Sequence, residues 1–105
     1  DGHANYDNVD VAIVVIGETP YAEFMGDIGG EMNRYQLTLT EAHQKLVDAY
    51  TAKGINTIVI LISGRPLVVN KQLEQADAFV AAWFPGSEGD GIAEVLFGEY
   101  NFKGK

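Results

Sequence analysis

At 105 residues and 47% hydrophobic content the chain carries enough apolar material for one packed domain, or part of one, which excludes a disordered linker. Its 15 acidic against 7 basic side chains, a formal net charge of −8, argue against a nucleic-acid partner, because a phosphate backbone demands a lysine or arginine surface. The absence of cysteine removes disulfide and thiol chemistry; no apolar run is long enough to span a bilayer, and no signal-peptide pattern stands at the amino end.

Residues 1–8 are polar and read as a connector. Val11 to Ile16 is an unbroken apolar, mostly β-branched run, the pattern of a strand covered on both faces in a parallel sheet. It ends at Gly17 and gives way to Glu18, Thr19, Pro20, Tyr21, Glu23 and Asp27, in a stretch to Gln36 that is too long for an ordinary connection and so has the marks of a functional loop. Thr38-Leu39-Thr40-Glu41 matches a capping box and predicts a helix with Ala42, Leu46, Ala49 and Tyr50 on its inner face, stopping at Lys53-Gly54. Ile55 to Ile62 is a second buried strand. Ser63-Gly64-Arg65-Pro66 follows, with proline suited to open a short helix over Pro66 to Glu74. Ala78 to Phe84 is a third strand, and Ile92 to Leu96 a brief amphipathic helix ending at Gly98.

Repeated alternation of strand and helix with near-continuous apolar strands means an α/β fold with a parallel sheet. Its sheet of three strands would leave backbone edges unpaired, and the tail has no natural ending, so the chain is expected to be a piece of a larger protein. In such sheets ligands sit beyond the carboxyl ends of the strands. Three polar patches fall there: Glu18/Tyr21/Glu23/Asp27, then Ser63/Gly64/Arg65, then Trp83 with Gly86 to Asp90.

Each patch has a plainer reading beside the functional one. The loop acids could serve only solubility. Arg65 could hold an anion at a helix start, or tie a loop to an internal carboxylate such as Glu18 or Glu88, the commoner arrangement. The run Gly86 to Gly91 lacks the lysine of a phosphate loop and suits a helix entry capped by Ser87 or Asp90. Trp83 at a strand end reads as core before sugar platform, and His43 beside Glu41 and Gln44 as solvated. Neither histidine belongs to a metal-spaced cluster or a nucleophilic triad. Among the carboxylates, Glu23 stands between Ala22 and Phe24, the most apolar neighbourhood of the four, which suits a general acid that must hold its proton; Glu18, Asp27 and Glu31 suit structural partners.

Three stretches in order, GETPYAEFMGD from Gly17, LISGRPL from Leu61 and AFVAAWFPGSEGDGIAEVLFGEYNFKGK from Ala78, resemble the second domain of glycoside hydrolase family 3, in its β-glucosidase and exo-β-glucanase branch. The resemblance covers the chain from about Val9 to Lys105 and implies a three-layer α/β sandwich with a mainly parallel sheet, flavodoxin-like and present only in its second half (residues 9–105). It also implies a retaining enzyme that removes terminal β-glucosyl units from β-glucans and oligosaccharides, a partner barrel domain with the aspartate nucleophile, and no required metal or organic cofactor. The family's acid/base glutamate follows the proline–tyrosine pair by two positions, which falls on Glu23, and Tyr21, Arg65 and Trp83 are expected to shape the substrate rim. Nothing in the chain resembles the barrel or its nucleophile motif, so it could supply only one of the two carboxyl groups that retaining hydrolysis needs. A secreted or periplasmic location is expected; no nucleic-acid or membrane partner is. The reading from another class is a non-catalytic doubly wound module, flavodoxin-like or receiver-like, against which the missing phosphate loop speaks.

Overall fold

The computed structural model describes residues 6–21, 26–28 and 37–104. Its elements run β1 (Val11–Gly17), α1 (Glu41–Thr51), β2 (Asn56–Ile62), α2 (Asn70–Gln75), β3 (Ala78–Ala81) and α3 (Asp90–Leu96). The strands form one parallel sheet in the order β1-β2-β3, with Val11 opposite Asn56, Gly17 opposite Ile62 and Ile58 opposite Ala78. This is an α/β architecture in which a three-stranded parallel sheet alternates with helices, and it is part of a domain.

The core lies on one face of that sheet. Ala12, Val14 and Ile16 of β1, Val59 and Leu61 of β2, and Leu39, Val47 and Val69 pack there, with Tyr50, Ile55, Leu67, Ala76 and Phe79 closing round them. Three strands laid side by side in sequence order with crossovers of one hand carry both connecting helices to the same face. Asp48 of α1 accordingly takes hydrogen bonds from Lys71 Nζ (2.8 Å) and Gln75 Nε2 (3.0 Å) of α2. Among the described residues the opposite face receives only α3, which follows β3 and lines a groove of about 240 Å³ with Val80, Ala82 and Phe102. Val11, Ile13 and Val15, at the other edge, remain 47–57% exposed. The expectation that β1 is covered on both faces is therefore corrected: its apolar run is real, but these helices reach only one side of it.

Four local expectations also shift. Thr38 does not cap α1. Its backbone forms a parallel bridge with Val68, and Val68 N–H donates to Leu37 O at 2.6 Å, which leaves the capping to Thr40, whose hydroxyl accepts from His43 N–H at 3.3 Å. The helix presents Val47, fully buried, with His43 and Tyr50 partly buried, to the sheet, while Leu46 is exposed. Val68 is taken up by the parallel bridge to Thr38, so α2 begins at Asn70, four residues beyond Pro66. Strand β3 ends at Ala81, because Trp83 takes a left-handed backbone (φ 58°) that no strand accommodates. As expected, α1 stops before Gly54 (φ 69°) and α3 before Gly98 (φ 83°). Tyr6, in the connector, meets Tyr50 edge-on at 5.5 Å with the Lys53 ammonium 4.3 Å from its ring.

Candidate active-site rim

All three strand-end loops meet. Glu18 leaves β1 with its N–H bonded to Ile62 O at 2.9 Å, so the start of the first loop is a continuation of the sheet ladder. Arg65 lies three residues past β2, in a turn closed by the buried Ser63 hydroxyl donating to Arg65 O at 2.9 Å. From there its guanidinium reaches into the first loop: Nε donates to Glu18 Oε1 at 3.0 Å and Nη1 to Gly26 O at 2.6 Å. The guanidinium carbon stands 4.2 Å from the centre of the Tyr21 ring, a cation–π contact. Arg65 and Glu18 side chains are only 16% and 13% exposed, so solvent screens the pair far less than an ordinary surface ion pair. Of the two carboxylates the sequence left open as partners for Arg65, the structure selects Glu18; Glu88 instead accepts from Ser87 at 3.3 Å. The anion-binding alternative loses its helix start, since no helix begins at Pro66.

The third loop enters through Phe84. Its ring meets that of Tyr21 at 6.0 Å and 73°, an edge-to-face pair, and both rings press on Gly64: a methyl group there would stand 2.7 Å from Phe84 Cε2 and 2.9 Å from the Tyr21 hydroxyl. Tyr21 also donates to Glu18 Oε2 at 3.5 Å. Tyr21 thus touches a residue from each loop, which is why the rim holds together.

Several sequence-derived candidates stand differently from expectation or beyond reach. Trp83 is not core; it is 54% exposed, and its backbone is left-handed (φ 58°). Such a conformation in a large side chain is rare and concentrates at functional sites. Glu23 lies outside the described residues, as do Gly29, Gly30 and Glu31. Its neighbours Tyr21 and Gly26 are described, and both belong to the cluster around Arg65. His43 is half-buried and not solvated as expected; its Nδ1 has no hydrogen-bond partner among the described residues, and the same holds for Arg65 Nη2. Neither Ser87 nor Asp90 caps α3, whose N-cap is Gly89 without a side-chain bond. Sequence reasoning did not single out Phe84; its place directly before Pro85, after a strand-end tryptophan, was the available signal.

Comparison with known proteins gives a consistent picture. The model of the glycosyl hydrolase family 3 C-terminal domain matches residues 2–105. The chain is 38% identical over 97 residues to a periplasmic β-glucosidase of Salmonella typhimurium, covering 91% of this chain and 12% of that protein. It is 36% identical over 90 residues to a xylan 1,4-β-xylosidase of Xylanibacter ruminicola, covering 85% and 10% respectively. Among solved structures, a single-site variant of the exo-1,3/1,4-β-glucanase of a Pseudoalteromonas species superposes with a TM-score of 0.70 at 54% identity, over 83% of this chain and 14% of that one. The chain therefore spans between a tenth and a seventh of the length of these relatives.

Proposed function

The chain belongs to glycosyl hydrolase family 3, as part of its C-terminal domain, and on that premise we propose that it contributes the acid/base carboxylate, Glu23, to a retaining, exo-acting β-glucosidase or β-glucan glucohydrolase. The observation that carries this is the position of the residues bracketing Glu23: Tyr21 and Gly26 both sit in the cluster where the loops from the three strand ends join. That is the edge of an α/β sheet at which ligands bind. The 54% identity to an exo-1,3/1,4-β-glucanase supports a glucosyl substrate over the xylosyl substrate of the 36% identical relative, and the periplasmic relative supports a secreted or periplasmic enzyme.

In the reaction, a carboxylate on a partner barrel domain attacks the anomeric carbon while protonated Glu23 gives its proton to the departing glycosidic oxygen. Glu23, now ionised, takes a proton from water, and that water displaces the enzyme carboxylate to release glucose with its configuration retained. The two carboxyl groups of such a pair stand about 5–5.5 Å apart. Trp83 offers an exposed indole face against which a sugar ring can stack, and Tyr21 and Arg65 shape the wall beside it.

The test is Glu23→Gln in the full-length enzyme. General acid catalysis is worth roughly 10²–10⁴ in rate, so kcat/KM for a glucoside with a poor leaving group falls by about that factor. A 2,4-dinitrophenyl glucoside, whose leaving group needs no proton, loses far less. Equal loss on both substrates refutes the assignment.

A further inference from the structure

Arg65 makes more contacts than a salt bridge needs, and the direction of the surplus is informative. Its partner Glu18 is fixed to the sheet by the bond from its own N–H to Ile62 O, and Arg65 is fixed by the closed Ser63–Arg65 turn, so both ends of the pair are tied to strand ends. From this base one guanidinium reaches two points of the first loop, the Tyr21 ring by its face and the Gly26 carbonyl by Nη1. Those two points touch each other as well: a methyl group on Gly26 would stand 2.8 Å from Tyr21 Cε2, so the ring abuts the backbone at Gly26. Residues 21 and 26 are thus the two sides of a neck, and the segment between them contains Glu23.

We propose that Arg65, held by Glu18, is a positioning residue for the acid/base glutamate, acting by clamping the neck of its loop. The inference rests on the assignment of Glu23 as that glutamate. A planar, forked guanidinium can bond the Glu18 carboxylate and the Gly26 carbonyl while stacking on Tyr21; a lysine ammonium keeps the charge but has neither fork nor face. A clamp of this kind matters because displacing a catalytic group by about 1 Å can cost on the order of 100-fold in rate.

The experiment uses the full-length enzyme and the variants Arg65→Lys, Glu18→Gln and Glu23→Gln, each assayed on methyl β-glucoside and on 2,4-dinitrophenyl β-glucoside. Because kcat/KM reports the first chemical step, a misplaced acid shows as a loss that grows with the basicity of the leaving group. Arg65→Lys and Glu18→Gln are expected to lose roughly 10–100-fold on the methyl glucoside and at least tenfold less on the activated one, the signature of misplacement by a fraction of an ångström to an ångström. A merely structural role lowers the fraction of active enzyme and hence both substrates alike. Should Glu23→Gln show the leaving-group split while the Arg65 and Glu18 variants lose both activities equally, or neither, the clamp is overturned and the acid/base assignment stands. Should Glu23→Gln itself lose both equally, the acid/base assignment fails, and the clamp with it. If Arg65→Lys yields no folded protein, Glu18→Gln decides alone.

Discussion

Gly17→Ala is the substitution whose consequence follows most directly from the geometry. Gly17 ends β1 opposite Ile62, and the next residue, Glu18, donates its N–H to Ile62 O at 2.9 Å. A Cβ at position 17 would be driven into the Ile62 carbonyl, with its carbon at 2.7 Å and Ile62 Cα at 3.0 Å. Comfortable carbon–carbon contact lies at about 3.5–4.0 Å, so the two strand ends must part by roughly 1 Å. Both obstructing atoms are backbone in a hydrogen-bonded strand, which cannot turn aside as a side chain can. Overpacking of this kind costs about 1–3 kcal/mol, the lost Glu18 hydrogen bond about 1 kcal/mol, and the stiffer unfolded chain returns about 0.4–1 kcal/mol. The net expectation is a loss of about 1–3 kcal/mol.

The functional consequence is larger than the stability figure suggests, since the residue displaced is the carboxylate that holds Arg65. The assay is thermal inactivation of the full-length enzyme, paired with the two-glucoside ratio. Inactivation should come several degrees earlier, and the methyl glucoside should lose activity disproportionately. Gly91→Ala is the control: a Cβ there meets nothing within 4 Å and the residue sits inside α3, so alanine should be neutral or slightly stabilising. Wild-type inactivation and an unchanged substrate ratio in Gly17→Ala would refute the claim that strand-end spacing sets the rim.

At Gly64 the obstructing atoms are side-chain tips, Phe84 Cε2 at 2.7 Å and the Tyr21 hydroxyl at 2.9 Å, so Gly64→Ala is expected to cost only about 1 kcal/mol while disturbing the Tyr21–Phe84 pair; an inactivation temperature as low as that of Gly17→Ala contradicts this. Asp48 supplies a pH test. Its pKa is held below the ordinary 3.8 by the hydrogen bond from Lys71, and then by that from Gln75. A carboxyl depressed in the folded state contributes stability that is present above its unfolded pKa and lost as pH falls through the folded one. Asp48→Asn should therefore weaken the enzyme at pH 6 and progressively less below about pH 4, as read by urea unfolding at both ends of that range, and a deficit independent of pH excludes the linkage.

Much of the fold was legible because strands announce themselves by composition. The β-branched runs at Val11–Ile16 and Ile55–Ile62 leave no helical alternative, and alternation with helices fixes a parallel sheet. Finer features were set by contacts distant in sequence. On α1 the sets Ala42/Leu46/Ala49/Tyr50 and His43/Val47/Tyr50 both satisfy helical spacing, and only the placement of α1 over β1 and β2 selects the second. Thr38 and Thr40 are equally good caps until Val68 claims the backbone of Thr38. The open face of β1 could not be read at all, because an apolar run records what a strand is suited to contact, not which helices are at hand.

At the rim the same division holds. Convergence of three strand-end loops follows from a parallel sheet alone, and a carboxylate amid apolar neighbours stands out from its own sequence context. Arg65 does not: its partner lies 47 positions away, and Glu88 was as eligible as Glu18 until the fold placed them. The glycines divide likewise. Gly54 and Gly98 serve turns that need a left-handed backbone, a role that asparagine or aspartate could partly fill. Gly17, Gly26 and Gly64 have another task, since an added methyl group would strike Ile62, Tyr21, or Tyr21 with Phe84. They are small so that backbones and rings from separate loops can close on one another. A rim built this way has little slack, so the contacts that Arg65 makes with Glu18, Tyr21 and Gly26 depend on strand spacing several residues away, and the proposed clamp would draw on that tightness.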